Sequence, residues 1–571
     1  MSVFFNGRKW VSPATMSVVD DSAMNNKNLS VGNVVALIGR SAGGAPNKAL
    51  RFGSPTEAVA MLREGELLTA VLKAFDPSAQ TNGPSEVVAV RVNPAVRAAL
   101  GLVDSVSAPS INLLSTDYGL YTNQIKVKVE AGTNVGAKLT SQFGNDYYSE
   151  DNVARNAFSV LYNGNAITAT MTIGGTVLTL QAPSGTNVAT LDLNIYQTVQ
   201  QVVDKINSTA GFVAAVLDGN ATKPTLNGLD YVTAVDVKTA AYTATAHLQA
   251  AVDWFNSTGE GFITAERATN AGKVPVAIGF TYLSGGSDGS VTNSEWSAAY
   301  TTLQSEDVQW VVPVSSDPAL HAMNDSHCAF MSNVARMERR GIVGMPTGST
   351  DAQAIAAAKA LNSDRTSLVH IGFYDYNAAG TLTLYPPYIL AALLAGAFSG
   401  VNPGTALTNK AIKVRGLERN VRNPTDTDQL INGGVLCVEN TSTGYKVVQS
   451  ISTWLVNDNY NRVEVSCGAA LDFVARNVRN ALDVLRGEKG SPIALSRAVS
   501  IADSTLRELA RPEPQGPGVI VGDKVNPAYK NITASLEGDV LRVEFQCSPV
   551  IPINFIPVTI FAVPYSGSAS I

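Results

Sequence analysis

The chain has 571 residues, with 47 acidic against 41 basic side chains for a formal net charge of −6, and only 15% charged residues beside 45% hydrophobic ones. Such a length exceeds one hydrophobic core and predicts several domains. A slight acidic excess without any Lys/Arg-rich run excludes a nucleic-acid footprint. Four scattered cysteines (Cys328, Cys437, Cys467, Cys547) and four histidines without zinc-like spacing argue against a disulfide framework or a structural metal.

Low charge content fits either large cores or extensive burial between subunits. The opening "MSVFFNGRKWV" carries neither a signal-peptide apolar core nor a cleavage site, and the longest apolar run, Tyr388 to Val401, is too short for a membrane span. Residues 1–25 read as an extended arm, apolar at Val3, Phe4, Phe5 and Trp10 but without a period long enough to make a core. Residues 26–104 read as the first segment of an α/β core. A strand at Val34–Ile38 leads into the glycine-containing turn of "LIGRSAGGAP", helical stretches broken at Gly65 follow, and "EVVAVRVN" is the next strand.

From 105 to 270 the texture turns rich in Thr, Asn and Gly with alternating strands, including a hairpin across Gly174-Gly175, and predicts an inserted β-rich domain. One amphipathic helix interrupts it, with Val199, Val202, Val203 and Ile206 at helical spacing. Residues 271–400 alternate strand and helix, the pattern of a doubly wound sheet and the second segment of the core. Thr292-Asn293-Ser294-Glu295 reads as a capping box, and Trp296, Ala299, Tyr300 and Leu303 as one apolar stripe. A further helix runs through "FMSNVARMERR". Residues 401–552 predict a separate α+β domain with a hairpin-like pair, two helices and a strand at "DVLRVEFQC", and residues 553–571 a C-terminal arm.

The Gly-rich turns "LIGRSAGGAP" and "LSGGSDG" each follow a strand, but neither matches a phosphate-loop pattern, so tight turns are expected, with Asp288 capping amides of the second. His321 and His327, six apart on a helix near Asp325 and Cys328, fall on different faces. Ser466-Cys467-Gly468 lacks a nucleophile-elbow context. No catalytic or metal-binding constellation is expected, and no cofactor. Arg336, Arg339 and Arg340 crowd a predicted helix end, where the dipole favours positive charge. Basic residues recur through the C-terminal helices; they read either as a face for an acidic partner or as an ordinary solvated face with i,i+4 pairs Asp472/Arg476 and Arg479/Asp483.

The order of these pieces resembles the contractile phage tail sheath protein family. The likeness is carried by "VDDSAMNNKNLSVGNVVALIGRSAGGAP"; by "STDYGLYTNQIKVKVEAG", with Asp117, Gly119, Asn123 and Ile125; by "LSGGSDG"; and by "INGGVLCVENTSTGYKVVQSISTWLVNDNYNRVEVSCGAALDFVARNVRNAL". The resemblance implies a structural subunit, not an enzyme, that stacks helically with its own copies around a tail tube protein. Baseplate and tail terminator proteins are further implied partners; nucleic acid and membrane are not. It implies an extended metastable state that contracts on a baseplate trigger, in a virion tail assembled in the host bacterial cytoplasm. Val3, Phe4 and Phe5, with Val558, Thr559, Ile560, Phe561, Ala562 and Val563, are the implied inter-subunit strand arms. Val435, Leu436, Cys437, Val438, Val447, Val448 and Ile451 form the implied accepting hairpin, and Arg476, Arg479, Arg486 and Lys489 the implied tube-facing side. Pairing of the last strand with Val540–Cys547 of its own chain is the alternative at the C-terminus. The sheath of a tailocin or other injection system shares these features, and a ligand-binding α/β enzyme is the alternative from another class.

Overall fold

The computed structural model describes residues 3–5, 8–10, 34–257 and 261–567. At its centre is a six-stranded sheet in the order Thr366–Val369, Arg340–Gly344, Trp310–Pro313, Val34–Gly39, Glu86–Arg91, Ala49–Phe52. Every neighbouring pair is parallel except the last, which is antiparallel. Side chains alternate between two buried faces. Val35, Leu37, Val87, Ala89 and Val312 pack with the helices Glu66–Phe75 and Pro387–Ser399; Ala36, Ile38, Val88, Val90 and Val311 pack with Asn293–Leu303 and Pro318–Asn333. Burial on both faces is why these strands read as unbroken apolar runs. The apolar run from Tyr388 is a core helix, buried almost all round.

Local signals place the helices well. Thr292 and Glu295 exchange both capping-box bonds, and the expected stripe of Trp296, Ala299, Tyr300 and Leu303 is buried. Gly65, at φ +115°, separates Pro55–Leu62 from Glu66–Phe75. The helix expected to run through Arg340 stops at Asn333, and Arg340 instead opens a core strand. Its backbone N–H bonds the carbonyl of Gln309, so sheet pairing overrides the helical pattern.

The insertion holds two hydrophobic cores, one nested in the other. Segments 98–153 and 248–283 share the first, built on the sheet Asp146–Val153, Ala137–Phe143, Lys126–Ala131, Ile278–Tyr282, a second sheet and the helix His247–Ser257. Residues 157–244 form the second, with the helix Val199–Asn207 turning its four predicted apolar residues inward. Texture alone merged them because both are antiparallel sheets with one polar face.

Cores also divide the C-terminal region differently from its composition. Leu407, Ile412, Val421, Leu430, Val435–Val438 and Val447 belong to the α/β core. A smaller core of Ala470, Phe473, Val474, Val478, Leu506, Leu509, Val519 and Ile520 unites the helices Val465–Leu482 and Pro492–Leu509. On them lies the two-stranded hairpin Tyr529–Glu537/Val540–Cys547.

Candidate assembly interface

Three stretches that looked unrelated in sequence meet around Arg91, the last residue of the strand Glu86–Arg91. Its side chain is 0% exposed. Nη1 donates to the carbonyls of Gly44 (2.8 Å) and Tyr118 (3.0 Å), and Nη2 to Asp288 Oδ1 (3.0 Å). Asp288 Oδ1 also accepts the Leu120 N–H, so it caps one amide of a distant turn and not the expected amides of its own. Asp117 Oδ1 accepts the N–H of Gly44, and Asn123 exchanges two 2.8 Å bonds with the backbone of Gly286. Gly119 has φ +124°, and a Cβ there would stand 2.4 Å from the Ala42 carbonyl, so only glycine fits. The motifs form the seam by which the insertion grips the core. Periodicity missed Arg91; a lone charge closing the run Val87–Val90 was the available signal.

A second ionic joint ties the C-terminal helices to the core. Asp472 receives Arg340 Nε at 3.0 Å and Arg365 Nη1 at 2.7 Å. Arg476 is buried against Asp307 and the Glu338 carbonyl, and Arg479 binds Glu338 and the Arg336 carbonyl. The expected pairs Asp472/Arg476 and Arg479/Asp483 do not form: tertiary partners take these charges, and Asp483 pairs with Arg486. Arg476 is therefore not available to a tube-facing surface, whereas Arg486 and Lys489 are exposed.

The implied accepting hairpin is formed by Val438–Thr441 and Gly444–Val447. Val435, Leu436, Cys437, Val438, Val447 and Ile451 are buried and Val448 is partly buried. Leu436 bridges Val369 beside the core sheet, and residues 409–412 bond the free edge of the second strand. By contrast, the hairpin Tyr529–Glu537/Val540–Cys547 has no third strand along either edge among the described residues.

The implied arms differ from each other. Val3–Phe5 pairs antiparallel with Arg8–Trp10 of the same chain; residues 11–33 lie outside the described set. Val558–Val563 forms no strand, and its apolar side chains stand in solvent, Ile560 at 85% and Phe561 at 86% exposure. The intramolecular alternative is not formed among the described residues: Val558–Val563 is not in a strand, and Val540–Cys547 pairs on one edge with Tyr529–Glu537. A six-residue β-prone segment left in water is a template for another chain's edge.

The buried histidines and thiols are held in their neutral forms. His327 accepts from Arg339, and burial with that cation lowers its pKa to about 3. His370 faces Arg419, and burial with that charge lowers it to about 4. Burial pushes Cys328 and Cys437 up to about 12 and raises Cys467. None of these thiols is poised as a nucleophile. A crevice lined by Arg40, Glu66, Thr292, Ser315, Asp317 and Tyr388 opens beyond the carboxyl ends of Val34–Gly39 and Trp310–Pro313, where strand order reverses. Glu66 there is bonded to the Tyr388 hydroxyl. Among the described residues no acidic, histidine and cysteine cluster could hold a metal, and no helix is long and apolar enough to cross a membrane.

Residues 289–453 match a family model described as the phage tail sheath protein central domain. The matched stretch begins at the Arg91 seam and ends where the core gives way to the C-terminal helices. The tail sheath protein of Bacillus phage SP01 is 28% identical, over 99% of this chain and 98% of its own length. The putative tail sheath protein of Enterococcus phage phiEF24C is 29% identical, over 96% and 97%. A sheath tail protein from Listeria innocua shares the fold with a TM-score of 0.55, at 15% identity over 93% of this chain and 94% of that one. One from Desulfitobacterium hafniense does so at 0.53, with 12% identity over 94% and 97%. With the central-domain model matched over 289–453 and relatives aligned end to end, the chain is similar to contractile phage tail sheath proteins over nearly its whole length, which supports a contractile tail sheath structural subunit.

Proposed function

We propose that this subunit polymerises with its own copies as a helical sheath around a tail tube, and that it works by rigid-body rearrangement of a metastable assembly, not by catalysis. The observation that carries the reading is the C-terminal segment: Val558–Val563 is apolar, exposed and, among the described residues, unpaired. Burying it against another subunit removes a solubility liability, and main-chain hydrogen bonds supply affinity without a deep pocket. The prolines Pro557 and Pro564 bound the segment and keep the added strand short.

The acceptor is the hairpin Tyr529–Glu537/Val540–Cys547, in preference to 435–451. The first has open edges, whereas the second has its side chains buried and one edge bonded. Val3–Phe5 serves as the second arm. Arg486 and Lys489 are the remaining candidates for the tube-facing side. Tube, baseplate and terminator proteins are the partners of this reading, and a phage virion assembled in the host cytoplasm its setting. Between the joints the bodies stay rigid, since the seam at Arg91 and the joint at Asp472 leave little slack for bending. The test is negative-stain microscopy of the purified chain across concentration: hollow helical tubes are expected, and persistent monodisperse monomers at high concentration would overturn the proposal.

A further inference from the structure

Glu464 stands where the core hands over to the C-terminal helices, immediately before Val465–Leu482 and bridged to Ile451. Only 1% of its surface is exposed. Its Oε2 accepts two amide donors, Gln449 Nε2 and Asn554 Nδ2, each at 3.2 Å. Oε1 is buried without a partner, and so is Oδ1 of Asn554, the side chain that shares the second bond. Asn554 lies four residues before Val558, at the root of the C-terminal arm.

An ionised carboxylate explains this arrangement poorly. Both orphaned atoms would be pure acceptors, and a buried negative charge would be left without a cation. The groups that face Glu464 are the neutral amides of Gln449 and Asn554 and, on the same helix, the thiol of Cys467. Arg340, whose charge reaches that thiol, is committed to Asp472. A neutral acid resolves both defects together, because an Oε1–H supplies a donor and Asn554 Oδ1 a waiting acceptor. With the existing Nδ2–H···Oε2 bond this makes a two-bond acid–amide ring.

We propose that Glu464 and Asn554 form a proton-dependent latch on the root of the C-terminal arm, closed when the carboxyl is protonated and opened when it ionises. Opening releases one proton from Oε1 to solvent and changes no covalent bond. Burial raises the carboxyl's pKa, against the lowering effect of the Gln449 and Asn554 bonds. The latch therefore holds at low pH and loosens as pH rises through that raised value. Its bearing on assembly rests on the arm reading above, whereas the latch itself rests on contacts within one chain.

Hydrogen exchange of the unassembled full chain tests it, read on peptides covering 549–556 at about pH 5 and about pH 8 and corrected for intrinsic exchange. In the wild type, protection should fall by roughly tenfold per pH unit above the carboxyl's midpoint. Glu464→Gln places an N–H where the acid has its O–H, so protection should persist at both pH values. Asn554→Ala should be unprotected at both. Equal wild-type protection at the two pH values, or a Glu464→Gln variant that follows the wild type, overturns the proposal. If neither variant folds, isotope-edited infrared spectroscopy of the wild type decides: a titrating protonated-carboxyl band supports the latch, and its absence throughout overturns it. Failure to form tubes with the latch intact would count against the assembly reading alone.

Discussion

Arg91 and Asp288, 197 positions apart in the chain, are joined at 3.0 Å across the seam between core and insertion. The guanidinium is fully buried and satisfies two backbone carbonyls besides the carboxylate, so removing Asp288 strands a cation that cannot reach water. Asp288→Ala should cost about 3 kcal/mol of stability in chemical denaturation. Arg91→Lys should not rescue the seam, since an ammonium lacks the planar fork that reaches three separated acceptors. Either variant should also expose residues 96–99 and 284–288, where the insertion crosses to the core, to limited proteolysis. Wild-type resistance there would show that the seam is redundant.

Asp472 carries a second prediction, because it bridges Arg340 and Arg365, both largely buried. Asp472→Ala leaves two cations facing each other in a site they cannot vacate, with a loss of about 3 to 5 kcal/mol. The local consequence is more diagnostic than the total. Thermal unfolding should split, with the C-terminal helices melting ahead of the core, because Asp472 is one of their ionic ties to it, beside Arg476 and Arg479. A single unshifted transition in calorimetry would contradict that placement.

How much of this was legible follows from the range of each interaction. Capping boxes, the Val199–Ile206 stripe and the hairpin at Gly174 depend on neighbours within four residues, and sequence spacing displays them directly. The exposure of Val558–Val563 was legible for the opposite reason: the segment has no strand partner among the described residues, and its apolarity stands out against a Gly/Ser tail. What stayed hidden was long-range. The i,i+4 charge pattern of the C-terminal helices looked like a solvated face, yet Arg476 and Asp472 chose partners 169 and 132 residues away. Strand propensity also drew attention to 435–451, although propensity does not distinguish a strand with a free edge from one buried in a core.

Acid sensitivity should come from the buried histidines; burial lowers His321 too, and two others more strongly. His327 and His370 are neutral and face Arg339 and Arg419, with pKa values lowered to about 3 and about 4. A lowered base binds fewer protons folded than unfolded, so its contribution is complete above the unfolded value of about 6.5 and is lost as pH falls toward the folded value. The urea midpoint should therefore drop between about pH 6.5 and about pH 4, each histidine adding a slope of up to about 1.4 kcal/mol per pH unit. His370→Gln should remove one proton from that slope. An unchanged slope would mean that His370 is not the titrating group. Glu464 acts with the opposite sign: its raised carboxyl stabilises below the unfolded value and loses that contribution as pH rises.

The arm offers the sharpest separation of assembly from folding. Ile560 is exposed and has no strand partner among the described residues, so substitutions there should leave monomer stability within about 0.5 kcal/mol of wild type. Assembly by strand addition depends on the backbone N–H, which proline lacks, and on a β conformation that proline also restricts. Ile560→Pro should thus abolish tubes, whereas Ile560→Thr, which keeps the N–H and the β-branched shape, should retain them at a higher critical concentration. Phe561→Ser tests the side-chain share: alternate residues of an added strand point to opposite faces, so losing one aromatic should weaken assembly without preventing it. Tube length distributions by electron microscopy and critical concentrations by sedimentation read all three. If Ile560→Pro assembles as well as wild type, main-chain pairing is not the joint, and the segment docks through its side chains alone.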